Sequence, residues 1–128
     1  IASTAAFQPL PYMATYAATK AFVVSFSYAL SLELEARNIQ LLVVCPGPTH
    51  TEFHIAAGLD EKIDNLPGMS AEEVVRVSLA EIGGTKRLKI PGKLNVLLAG
   101  LAKSLPFFIS APIAKRLLAR YVGKPVCG

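Results

Sequence analysis

The sequence predicts an α/β chain organised on a parallel sheet, and three stretches predict it. Leu41-Leu42-Val43-Val44-Cys45 is apolar without alternation, the pattern of a parallel strand covered on both faces. A long helix-forming stretch, from about Tyr12 or Met13 to Arg37, leads into it. A second helix and a second short strand, over 70–82 and 87–90, follow it. Helices alternating with strands belong to a doubly wound sheet.

Taken in order, residues 1–6 read as the end of a strand, with small side chains that leave room for a ligand. Phe7-Gln8-Pro9-Leu10-Pro11 breaks regular structure, because two prolines sit in neither a helix interior nor a central strand. The helix that follows carries apolar residues around most of its circumference, so it should be buried on more than one side, and Asn38 is placed to end it. The strand 39–45 ends in the turn Pro46-Gly47-Pro48. Residues 52–68 mix Gly, Pro, Asp and Asn with isolated apolar positions, which reads as a mobile lid containing a short helix. Ser70-Ala71-Glu72-Glu73 is a capping box that opens the helix to about Ile82, and Gly83-Gly84 closes it. Arg87–Ile90 is a short strand stopped by Pro91-Gly92. From Leu94 onward, Pro106 and Pro112 divide the chain into two or three short amphipathic helices.

Tyr16 and Lys20 fall four residues apart near the start of the long helix, so they share one face, one turn from each other. A free phenol ionises near pH 10 and is a poor proton shuttle at neutrality; a fixed ammonium beside it favours the phenolate. Thirteen residues before Tyr16 stands Ser3, and Thr4 is one residue short of that spacing. Twenty-six residues past Lys20 stands Pro46-Gly47-Pro48-Thr49-His50-Thr51, directly after the apolar run. Ligands of open parallel sheets bind beyond the carboxyl ends of strands, and both Ser3 and the Pro-Gly turn fall at such ends.

A serine ending one strand, Tyr-x-x-x-Lys opening the next helix and a Pro-Gly turn ending the next strand resembles the short-chain dehydrogenase/reductase family, closely over 1–53 and beyond that only in the order of elements. The resemblance implies the C-terminal part of a Rossmann-like doubly wound parallel sheet over residues 1–93, with 94–128 as a basic amphipathic helical tail. It implies an NAD(P)(H)-dependent oxidoreductase, with NADP expected and NAD the alternative. Tyr16 would exchange the proton with the substrate oxygen and Ser3 would orient that oxygen. Lys20 would assist Tyr16 and hold the nicotinamide ribose. Pro46 and Gly47 would bring backbone to the nicotinamide, the Thr49 amide would meet its carboxamide, and the Thr51 hydroxyl would lie near the pyrophosphate. The glycine-rich phosphate turn and the asparagine of the family's tetrad would lie upstream of Ile1. The family's use of the long helix implies a homodimer or homotetramer through 13–37.

Composition bounds what remains. Hydrophobic residues make up 52% of the 128, and mean hydropathy is +0.45, high for a free-standing domain of this size, so the chain alone is expected to fold poorly. Apolar residues of the expected lid (Phe53, Ile55, Leu59, Ile63 and Leu66) suggest a lipophilic carbonyl substrate such as a 3-oxoacyl thioester, a steroid or a retinoid; His54 and Gln8 are further pocket candidates. Cys45 and Cys127 are far apart, which favours a reducing, cytoplasmic compartment over a disulfide, and His50 and His54 belong to no metal-ligand spacing. Residues 1–84 carry a net charge of −5 and residues 85–128 a net charge of +9 with no acid. Such a tail can form a solvated face, hold an anionic acyl carrier or rest on an anionic membrane surface. It has no apolar run of the roughly 20 residues that span a bilayer and no nucleic-acid recognition signal. The rival function classes are a truncated, non-catalytic fragment and a peripheral membrane protein acting through the tail.

Overall fold

The computed structural model of the chain describes residues 1–51 and 67–121. The expected lid over 52–66, with Phe53, His54, Ile55, Leu59, Ile63 and Leu66, lies outside the described residues, as do Cys127 and the end of the basic tail. Four helices are described: α1 (Ala14–Glu35), α2 (Ala71–Leu79), α3 (Lys93–Ser104) and α4 (Phe107–Leu118). Two parallel pairs of short strands accompany them. β1 (Val43–Val44) pairs with β4 (Leu88–Lys89), and β2 (Thr49–His50) pairs with β3 (Met69–Ser70).

The β1 ladder continues past its assigned ends. The Cys45 N–H donates to the Lys89 carbonyl at 2.8 Å on one side, and on the other the Ala2 and Thr4 N–H groups donate to the Val44 and Pro46 carbonyls at 2.7 and 2.9 Å. Three chain segments therefore run side by side with β1 in the middle. That position explains the unbroken apolar run: Val43, Val44 and Cys45 are at most 4% exposed. Val43 and Cys45 form a core with Ala2 against which Phe7, Val23 and Val24 pack.

Several boundaries differ from the sequence expectation. The strand expected over 39–45 is assigned only at 43–44. Upstream, Gln40 binds sideways: its amide nitrogen donates to the Gly84 carbonyl at 2.6 Å, and its amide oxygen accepts from the Gly83 N–H at 2.7 Å. The strand end expected over 1–6 stops at Ser3, because the Ser3 side chain accepts from the Ala5 N–H and starts a 3-10 turn over Thr4–Phe7. Asn38 does terminate the α1 region, with φ 55 in the left-handed range that asparagine tolerates. The capping box is formed in full, with the Ser70 side chain on the Glu73 N–H and the Glu73 carboxylate on the Ser70 N–H. Pro106 separates α3 from α4, but Pro112 does not interrupt: it lies inside α4. Its ring leaves the Phe108 carbonyl without an intrahelical donor. Pro112 is exposed, so water can serve that carbonyl.

Among the described residues no helix is long and apolar enough to cross a membrane. Apolar side chains nevertheless face outward. Phe22, Phe26 and Leu32 on α1 are at least half exposed, and Phe107 and Phe108 at the head of α4 are 71% and 79% exposed.

Candidate active site

Helix α1 places Tyr16 and Lys20 as their spacing requires. The Lys20 Nζ stands 5.7 Å from the centroid of the Tyr16 ring, within cation–π range. It also donates to the Ile1 carbonyl at 3.3 Å, which ties the helix to the segment beside β1. The Thr19 hydroxyl donates back to the Tyr16 carbonyl at 2.8 Å. Ser3 is extended (φ −165, ψ 157), and its Oγ accepts from the Ala5 N–H at 3.1 Å. A hydroxyl used as an acceptor still has its proton to donate.

The chain leaves β1 through Pro46, Gly47 and Pro48 into β2. The Thr49 hydroxyl donates to the Gly47 carbonyl at 3.0 Å, closing the turn on itself. Under this turn the Cys45 thiol is fully buried, and burial pushes its pKa from 9.0 up to about 11, so it stays neutral at physiological pH.

These pieces meet around one cavity of about 570 Å³, in the size range of small-molecule sites. Ser3, Tyr16, Lys20, Pro46, Gly47, Thr49 and Thr51 all line it. Gln8, named from the sequence as a further pocket candidate, lines it too. Sequence reasoning missed Met13, His50, Val74, Val75 and Leu118, which also line it. Nothing local marks Leu118, which reaches the cavity from the far end of α4.

The donor set suits an anionic, hydroxyl-rich dinucleotide. An ammonium has three protons, and one of those on Lys20 is engaged by the Ile1 carbonyl among the described residues. Beside it lie the hydroxyls of Ser3, Thr49 and Thr51 and the backbone of a Pro-Gly turn. Among the described residues no group of three His, Cys, Asp or Glu is arranged to hold a metal ion.

The chain is similar to known proteins. A family model for short chain dehydrogenase matches residues 1–62. The chain is 34% identical over 110 residues to the 2,3-dihydro-2,3-dihydroxybenzoate dehydrogenase of Bacillus subtilis, covering 86% of this chain and 38% of that protein. It is 32% identical over 124 residues to the 17-beta-hydroxysteroid dehydrogenase type 3 of Mus musculus, covering 94% of this chain and 38% of that one. A short-chain dehydrogenase from Sphingobium yanoikuyae, solved in complex with NADPH, superposes with a TM-score of 0.65 at 32% identity, over 82% of this chain and 44% of that structure. The chain thus spans less than half the length of each of these proteins. The segment that brings Ser3, Tyr16 and Lys20 to one cavity is also the segment the family model recognises, and over residues 1–62 the chain matches the short chain dehydrogenase family.

Proposed function

We propose that this chain carries the proton-transfer machinery of an NADP(H)-dependent oxidoreductase that interconverts a carbonyl and a secondary alcohol. In this reading residues 1–93 are the C-terminal part of the dinucleotide-binding unit and 94–128 an appended tail. The observation that carries it is convergence: Ser3, Tyr16, Lys20 and the Pro46–Thr51 turn reach one cavity from three separate parts of the chain. The bound nicotinamide would supply or accept the hydride at the carbonyl carbon. Tyr16 gives its phenolic proton to the substrate oxygen during reduction and takes it back during oxidation. The Lys20 ammonium stabilises the phenolate left behind and holds the ribose hydroxyls. Ser3 donates to the substrate oxygen, fixing its orientation and stabilising charge that develops there. Pro46, Gly47, Thr49 and Thr51 hold the nicotinamide end of the cofactor. NADP is preferred over NAD because a solved relative was captured with NADPH.

The substrate is lipophilic in this reading. Leu10, Met13, Val74, Val75 and Leu118 present an apolar wall opposite the polar groups. A relative acting on hydroxysteroids fits the same chemistry. The exposed aromatic face of α1, where Phe22 and Phe26 stack with centroids 5.7 Å apart, pairs with a second copy in a homodimer or homotetramer. The buried, free Cys45 suits a reducing, cytoplasmic compartment.

The test is NADPH oxidation by the complete protein that contains this sequence, with a panel of hydrophobic ketones. Tyr16→Phe should lower turnover by about 100-fold or more while leaving NADPH affinity nearly unchanged. Turnover equal to wild type would sink the assignment.

One observation favours a second, compatible role. Phe107 and Phe108 project at the α3–α4 corner, with Lys103, Lys115 and Arg116 on the same two helices and no acid after Glu81. Such a corner can insert its rings into a bilayer interface while its cations meet anionic headgroups. Co-sedimentation with phosphatidylserine-containing vesicles should fall when both phenylalanines are replaced by serine. Unchanged binding would remove this role.

A further inference from the structure

Gly47 does not need to be glycine for its backbone. It lies outside the left-handed region; the positive-φ glycines of the described chain are Gly83 and Gly92. What fills the place of its missing side chain is Asn95, from the first turn of α3. A Cβ on Gly47 would stand 2.5 Å from the Asn95 Cγ and 2.6 Å from its Nδ2, closer than such contacts occur. A Cβ on Gly92 would stand 3.0 Å from the same Nδ2 and 3.2 Å from the Met69 sulfur. The amide therefore sits in a slot walled by two glycines.

Within the slot it is anchored. The Asn95 Nδ2 donates to the Pro91 carbonyl at 2.8 Å, and Pro91 is among the most completely buried side chains. The helix it belongs to also packs on the 3-10 turn that Ser3 caps. One side chain thus joins the stop of β4, the start of α3 and the turn proposed to face the nicotinamide.

We infer that Asn95 is a positioning residue for cofactor binding: its amide buttresses the Pro46-Gly47 turn from behind and holds it at the cavity wall. The inference rests on the function proposed above. It predicts a size relationship between Gly47 and Asn95 that neither residue alone would show. Gly47→Ala drives a methyl into the Asn95 amide, displacing it from Pro91 and shifting the turn. Asn95→Ala removes the buttress but opens room for a methyl at position 47.

The experiment is a double-mutant cycle in the complete protein that contains this sequence, reading the KM for NADPH, kcat at saturating NADPH and the Kd for NADP+ by fluorescence titration. Asn95→Ala should raise KM and Kd by about tenfold, with kcat within about twofold. Gly47→Ala should be worse, and the double variant no worse than Asn95→Ala alone, since the added methyl occupies the vacated space. Additive losses in the double variant would overturn the inference while leaving the oxidoreductase reading intact. Equal falls in kcat and affinity together with a lowered Tm would also overturn it, because they describe a structural residue only. If the complete wild-type protein neither binds NADP+ nor oxidises NADPH, the oxidoreductase reading falls and the cofactor role of Asn95 with it.

Discussion

Strand β1 and the helix pair α3–α4 are both rich in apolar residues, yet they end in opposite places. Val43 and Cys45 are 2% and 0% exposed, whereas Phe107 and Phe108 are mostly in solvent. The difference lies in the backbone. A strand leaves its N–H and C=O groups to be satisfied by neighbours, so β1 is buried by the same segments that complete its ladder. A helix satisfies its own interior groups and can stand with an apolar face uncovered until something else meets it. Apolar composition therefore marks a core in the first region and a surface awaiting a partner in the second.

The comparison breaks most sharply under a charge. Val43→Asp places a carboxylate among Ala2, Cys45 and Leu88 with no cation in that core, and should cost about 4 kcal/mol or more. Urea unfolding of the full chain measures it; a midpoint like that of wild type would mean β1 is not the centre of the core.

A smaller effect comes from pH at the same strand. Burial raises the Cys45 pKa from 9.0 to about 11, so the folded state favours the protonated thiol. Its contribution is complete below pH 9 and is lost as the unfolded chain ionises first, by about 2 kcal/mol near pH 11. Unfolding curves between those pH values should steepen less for Cys45→Ala than for wild type. Parallel slopes would contradict the assignment of the thiol to the dry core.

The helix caps give a still smaller change. Ser70→Ala removes the acceptor for the Glu73 N–H at 3.1 Å and should destabilise by about 1 kcal/mol, with Ser70→Asp restoring most of it. At the far end of the scale, Phe107→Ser combined with Phe108→Ser should leave folding stability within about 0.5 kcal/mol of wild type. A large loss there would show that the corner is already part of a core.

Local signals were the legible ones. Tyr16 and Lys20 are related by one helical turn, Ser70 and Glu73 by a cap, and the parallel strand by an unbroken apolar run; each relation is complete within a few residues. The misread points depend on distant partners. Gln40 leaves the strand register because its side-chain amide accepts from the Gly83 N–H and donates to the Gly84 carbonyl, and no pattern near Gln40 announces them. Pro112 reads as a breaker because the sequence does not show that its side of α4 faces water. Asn95 carries no motif at all, and its meaning appears only when Gly47 is beside it. The cavity shows the same division: its polar floor was readable from spacing, whereas Val74, Val75 and Leu118 enter through folding alone.

Ser70 holds two positions at once, last residue of β3 opposite His50 and first cap of α2. Strand and helix therefore share a single joint with no slack between them. An insertion after Ser70 would therefore disturb the cap and the strand end together.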